Sequence, residues 1–301
     1  EKKANFWIAV DWGTSHLRYW IINREDGKLI NEKSIPLGIK FINHKNFENI
    51  LVNEFQDYLL ENLTIDILCC GMIGSKQGWK DSGYFSVPFT PEFYKKLVFV
   101  KTKNKKLNIY IVPGLKQSNP PDVMRGEETQ SLGIIKKYNN FDGVICFTGT
   151  HSKWVQIVSN EIISFETFLT GELFQIISEH SILKQSISSK KIDINLAKEY
   201  ALIAFSDPQK FSKNLFELRA KNLIDNLNSS EILSCLSGLI IGLEIAGSRK
   251  YWLGNEVILV GSSPMVDIYK LILKKQNIAT SIQDSKDISL IGLKDIYKNL
   301  N

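Results

Sequence analysis

The stretch AVDWGTSHLRYWII (residues 9–22) returns further along the chain as ICFTGTHSKWVQIV (145–158), with Gly13 falling on Gly149 and Thr14 on Thr150, 136 residues apart. Each copy reads as an apolar run, a Gly-Thr turn and a second apolar run. A repeated supersecondary unit constrains a fold more tightly than composition does. It predicts two related lobes, each opening with a hairpin. The length of 301 residues points the same way, since it exceeds the usual size of one compact domain.

Further short apolar runs read as strands: IDILCC (65–70), NIYIV (108–112), IISFE (162–166) and VILV (257–260). Helical periodicity lies between them at 46–63, 126–137, 171–179, 230–248, 264–274 and 287–298. Residues 181–212 are weakly patterned and read as shorter helices or an insertion. Interleaved strands and helices make the class α/β. The boundary is expected between two lobes at 1–138 and 139–301.

Glycine in such a turn permits close approach of a ligand and positive φ, threonine offers a hydroxyl, and turn amides bind phosphate oxygens. Two turns of this kind would clamp a polyphosphate. Asp11 cannot bind phosphate directly, because like charges repel. It makes sense with Mg²⁺ between carboxylate and phosphate. A hairpin whose Asp accepts local turn hydrogen bonds is the plainer alternative; the second copy favours phosphate binding.

The net charge of +5 is scattered, and its one dense run, KTKNKK (101–106), has no aromatic platform beside it, so nucleic acid is not an expected partner. The four cysteines include no C-x-x-C pair and fit a reduced, cytoplasmic core. EKKANFWIAV lacks a signal-peptide pattern, and the longest apolar stretch, ILSCLSGLIIGLEIAG, is broken by Ser, Gly and Glu244, so no membrane is expected either.

The stretches IAVDWGTSHLRYW (8–20), CGMIGSKQGW (70–79), VPGL (112–115), VMRGEETQSLG (123–133), GTHSKWVQ (149–156), LTGELF (169–174), LFELRA (215–220) and LSGLIIGLEIA (236–246) run from end to end of the chain. With them the sequence resembles the sugar kinase, actin and heat-shock-chaperone ATPase superfamily, and within it the 2-dehydro-3-deoxygalactonokinase family. The resemblance implies two ribonuclease-H-like lobes around an ATP cleft and transfer of the γ-phosphoryl group to the 6-hydroxyl of 2-keto-3-deoxygalactonate. It makes Asp11, Gly13, Thr14 and Ser15 the first phosphate loop and Gly149, Thr150, His151 and Lys153 the second. LVGSSP, with Gly261 and Ser262, becomes the adenosine-side turn, although many relatives carry two adjacent glycines there. The partners implied are ATP with Mg²⁺ and the keto-deoxy sugar acid, with a homodimer left open.

Phosphoryl transfer needs charge offset and a carboxylate near the attacking hydroxyl. Glu127 and Glu128 open a helical stretch, where they also complement the helix dipole, and neighbours about 100° apart cannot both face one atom. By resemblance Glu127 is favoured for the hydroxyl and Asp11 for Mg²⁺, with Asp11 the competing base. Arg18 and Arg125 are candidates for the substrate carboxylate, or for ion pairs with Asp122 or Glu128. GMIGSKQGW suits an acid-sugar loop through Gly71, Met72, Ser75 and Trp79, or a tight strand-to-helix connection with Trp79 in the core. Thr170 and Glu172 begin a helix: Thr170 reads as an N-cap, and a substrate contact there rests on the resemblance. Gly238, Gly242 and Ala246, four apart, form a small-residue strip that would admit another helix. Two other functions compete, a kinase of another hexose or sugar acid, and a non-catalytic actin-like module.

Overall fold

The computed structural model describes residues 2–43, 46–59, 63–90, 96–188 and 191–300. The chain separates into two compact units, one of residues 1–141, 159–162 and 285–301, the other of 142–158 and 163–284.

Up to residue 141 the elements are β1 (Lys2–Lys3), β2 (Phe6–Trp12), β3 (Leu17–Asn23), β4 (Leu29–Ile35), α1 (Phe47–Glu54), β5 (Leu63–Cys70), β6 (Tyr84–Ser86), β7 (Val98–Val100), β8 (Leu107–Ile111), β9 (Gly114–Ser118), β10 (Pro121–Met124) and α2 (Glu127–Lys137). After it come β11 (Gly143–Phe147), β12 (Ser152–Val158), β13 (Glu161–Phe168), α3 (Thr170–His180), α4 (Ile194–Ser206), α5 (Phe211–Ile224), α6 (Ser229–Gly247), α7 (Arg249–Trp252), β14 (Val257–Val260), α8 (Val266–Lys275), β15 (Thr280–Gln283) and α9 (Ser285–Lys298).

The main sheet of the first unit runs β4-β3-β2-β5-β8-β7, with β1 added beside β5, and that of the second runs β13-β12-β11-β14-β15. In each, the opening strand pairs antiparallel with the next and parallel with a later one, β2 with β3 and β5, and β11 with β12 and β14. This is the ribonuclease-H-like order, present twice, as the repeat implies. Central strands are apolar on both faces, so FWIAVDW and GVICF are buried almost throughout. The two hairpins differ by one residue. Residues 12–17 lie between the register partners Asp11 and Arg18, and 148–152 between Phe147 and Lys153.

Three features bear on the sequence reading, the first and the last as departures and the second in agreement with the shorter helices expected. The helix expected over 46–63 ends at Glu54, and a tight 3-10 turn at Gln56–Tyr58 follows, with Phe47, Leu51 and Phe55 still buried; residues 60–62 lie outside the described residues. The weakly patterned region contains α4, capped by Asp193, whose carboxylate accepts from the Asn195 and Leu196 N–H groups. The C-terminal segment from Ser285 belongs with the first unit rather than the second, because α9 packs on α2 at glycine contacts: a Cβ at Gly133 would lie 2.0 Å from Ile288 O, and one at Gly292 2.1 Å from Thr129 O.

The small-residue strip does admit a helix. A Cβ at Gly238 or Gly242 would lie 2.1 Å from the Ala197 or Ala201 carbonyl oxygen of α4. Helix α6 is long and apolar enough to cross a membrane, yet it is mostly buried, packed by α3, α4, α5 and α8.

Candidate active site

In the first unit, three segments meet at the end of β2. Asp11 is half-buried beside Gly71, where φ is +92° and a Cβ would lie 2.8 Å from Trp12 O and 3.3 Å from Asp11 Oδ1. Only glycine combines that backbone with that closeness. A Cβ at Gly126, the residue before α2, would in turn lie 3.6 Å from Gly71 Cα. The β2 terminus, the loop after β5 and the N-terminus of α2 therefore share one small volume.

Burial pushes the Asp11 carboxyl up, opposed by the Arg18 guanidinium and by a hydrogen bond from Ser289. Ser289 Oγ donates to Oδ2 at 3.3 Å and accepts from Gln130 Nε2 at 3.0 Å. The two glutamates curl back on the helix start: the Arg125 N–H donates to Glu127 Oε2 at 3.1 Å and the Gly126 N–H to Glu128 Oε2 at 2.6 Å. Glu128 is wholly buried, and burial, then the Glu127 charge, push its carboxyl up to about 8. Glu127 is the partly exposed member of the pair.

Other candidates of this unit have structural partners. Arg18 Nη1 lies 3.9 Å from Asp11 Oδ2. Arg125 is buried, donating from Nη1 to Ser82 Oγ (2.6 Å) and from Nη2 to Gly83 O (3.0 Å), with its guanidinium over the Tyr84 ring. Neither arginine forms the ion pair with Asp122 or Glu128 that was the alternative; Glu128 feels Arg125 only as a minor charge. Trp79 stacks on Phe47 and, with Met72, packs on the core. Ser75 Oγ and Arg125 Nε are buried without a hydrogen-bond partner. The Gly13–Ser15 turn is pinned from outside, since Gly13 O and Thr14 O accept from the Ile39 and Lys40 N–H groups and Gly38 lies against Thr14.

The second unit gathers Gly149, Thr170 and Ser262 at a cavity of about 330 Å³, otherwise walled mainly by Phe174, Ile192, Ile240, Ile241, Met265 and Tyr269. A Cβ at Gly171 would lie 2.7 Å from Gly149 O and from Thr150 Cα, so the turn sits directly on the N-terminus of α3. A Cβ at Gly261 would lie 2.0 Å from Thr148 Oγ1. Gly13 and Gly149 are not among the positive-φ glycines, so the expectation of positive φ in the two turns is corrected. Open space around Gly149 is what its missing side chain leaves.

His151 Nε2 pairs with Glu172 Oε2 at 2.5 Å, both half-exposed, and buried Lys153 donates to Thr167 Oγ1 at 3.2 Å. Thr170 is no N-cap: Leu169 holds that position without a side-chain bond, and the Thr170 hydroxyl donates instead to Glu244 Oε2. The sequence reading missed Glu244, Ser289 and the cavity wall. A lone acid inside LIIGLEIAG was the available signal for Glu244.

A family model described as 2-keto-3-deoxy-galactonokinase matches residues 11–296. The chain belongs to this family. The match starts at Asp11 and runs into α9, so it takes in the candidate residues of both units. A Rhizobium meliloti (strain 1021) protein named as a 2-dehydro-3-deoxygalactonokinase is 34% identical over 96% of both chains. The Escherichia coli (strain K12) 2-dehydro-3-deoxygalactonokinase is 31% identical over 81% of both. A crystal structure whose title names a candidate 2-dehydro-3-deoxygalactonokinase from Sinorhizobium meliloti superposes with a TM-score of 0.90 at 32% identity, over 98% of this chain and 99% of that one.

Proposed function

We propose that the protein transfers the γ-phosphoryl group of ATP to the 6-hydroxyl of 2-dehydro-3-deoxy-D-galactonate, giving the 6-phosphate and ADP. The observation that carries this is the convergence of Asp11, Gly71 and Gly126, a carboxylate at a central strand end that glycines leave open beside a helix N-terminus. The transition state of such a transfer is loose, so the protein's work is positioning and charge offset.

Among the described residues, no three His, Cys, Asp or Glu side chains cluster as a metal site. Mg²⁺ suits the donor set nonetheless, because it is commonly held by one or two carboxylates together with substrate phosphates. Any side chain at position 71 would crowd Asp11 Oδ1, so that oxygen is the one left for the ion. Asp11 would hold Mg²⁺, which supplies charge neutralisation at the phosphates when bound. Glu127, the more exposed carboxylate, orients the sugar hydroxyl and accepts its proton. Glu128, held protonated near neutral pH by burial, braces the helix start.

The cavity of the second unit has the mixed apolar and polar wall of a nucleoside site, with Ser262 on that wall and Gly261 immediately before it. Taken separately, the turns Gly13–Ser15 and Gly149–Lys153 are each suited to phosphate oxygens, the latter helped by the positive end of α3. Ser75 and Arg125, each with a buried polar atom that lacks a protein partner, are the groups for the acid sugar. The buried, unpaired cysteines accord with a reducing cytoplasm. A coupled assay of ADP release over a panel of sugar acids tests the reading. Turnover of glucose or gluconate, with none of 2-dehydro-3-deoxygalactonate, would reject the substrate; nucleotide-dependent sedimentation without sugar-dependent ADP release would favour an actin-like module.

A further inference from the structure

Glu244 is the one acid in the apolar part of α6 and is 2% exposed. Burying a carboxylate in a helix core is costly unless its oxygens are well supplied with donors. Here three converge: Oε1 accepts from Trp154 Nε1 at 2.8 Å, and Oε2 accepts from Tyr269 OH at 2.7 Å and from Thr170 Oγ1. The donors come from three different elements, β12, α8 and the first residue of α3. Two of them, Thr170 and Tyr269, line the cavity, and the third, Trp154, follows Lys153 of the second turn.

We propose that Glu244 is a positioning residue of the nucleotide site, fixing Thr170 and Tyr269 in the cavity wall and tying both to the strand that carries the second turn. This rests on the nucleoside reading of the cavity. The carboxylate touches no substrate; it acts through its donors. Trp154 Nε1 can only donate, whereas the two hydroxyls can also accept, so an amide at position 244 could keep all three contacts by donating to the hydroxyls; leucine, similar in size and without an acceptor, keeps none.

The test is titration of the full-length protein with ADP by calorimetry, alongside steady-state kinetics with the sugar acid. Glu244→Leu should raise the ADP Kd about tenfold, the equivalent of roughly 1.4 kcal/mol, and leave the KM for the sugar acid within about twofold. In a Thr170→Val/Tyr269→Phe background the same change should add less than about twofold, as expected if Glu244 works through those two groups. Should Glu244→Leu fail to fold, Thr170→Val and Tyr269→Phe, which retain the carboxylate, should each weaken ADP binding severalfold. Unchanged ADP affinity with a lowered melting temperature would overturn the positioning role. Undiminished ADP binding by Ser237→Phe, which fills the cavity, would remove the nucleoside reading itself and the role with it.

Discussion

Arg18 stands directly across the sheet from Asp11: the two are register partners on β2 and β3, with Nη1 3.9 Å from Oδ2. The guanidinium therefore serves the carboxylate that the proposed chemistry depends on. If that is its work, Arg18→Met should lower kcat about tenfold and leave the sugar-acid KM within about twofold, since only a charge–charge term of about 1.4 kcal/mol is removed. A large rise in KM with kcat intact would place Arg18 on the substrate instead. Asp11→Ala should lower kcat by about 10²–10³ while ADP and sugar binding stay measurable by calorimetry.

The two neighbouring glutamates should separate by assay and by pH. Glu127→Gln is expected to lower kcat by about 10²–10⁴. Glu128 has a folded-state value of about 8, above the unfolded value, so the stability linked to its proton is present at low pH and is lost as pH rises toward and through about 8. Glu128→Gln, which resembles the protonated form, should match the parent in melting temperature near pH 4 and exceed it near pH 9. A variant less stable than the parent at alkaline pH would contradict this.

At the other end of the first sheet, Asp66 is buried and accepts from Lys3 Nζ (2.9 Å), Asn108 Nδ2 (3.0 Å) and Tyr297 OH (2.8 Å). Burial pushes its carboxyl up, but these hydrogen bonds together outweigh burial and leave it below the usual range. A lowered carboxylate stabilises the fold above its unfolded value and ceases to do so as pH falls through the folded one. Asp66→Asn should therefore cost about 1–3 kcal/mol at pH 7, read as a lower melting temperature, with the gap closing below about pH 4.

Glycine at 242 is required by the approach of α4. Its missing Cβ would lie 2.1 Å from Ala201 O, so Gly242→Val should push the helices apart at a cost of about 1–3 kcal/mol. At about 2–4 °C per kcal/mol, the melting temperature should drop by roughly 2–12 °C. An unchanged melt would mean that the helices can separate freely.

What the sequence revealed follows from where each signal resides. GVICF and VILV coincide with β11 and β14 residue for residue, because a continuous apolar run buried on both faces has no other reading at that length. LINEKSI, by contrast, is exposed along β4 at one edge of its sheet and carries no apolar alternation. Asp11 stood out in DWGT because an acid two residues before a glycine is a local pattern, and Gly71 in GMIGSKQG because closely spaced glycines after an apolar run are one too. Ser289 carried no such mark; it reaches Asp11 only because α9 packs back onto the first unit. Thr170 misled for a related reason, as its partner Glu244 lies 74 residues onward and local helix-start chemistry could not disclose it.

The return of α9 has a consequence for biosynthesis. Its contacts with α2, and the hydroxyl it offers Asp11, connect residues more than a hundred positions apart, so they exist only after residues 285–298 have left the ribosome. The half of the protein translated first is thus finished last. Until then, the α2 surface around Gly133 stays bare on the nascent chain, where a chaperone or a premature contact can reach it.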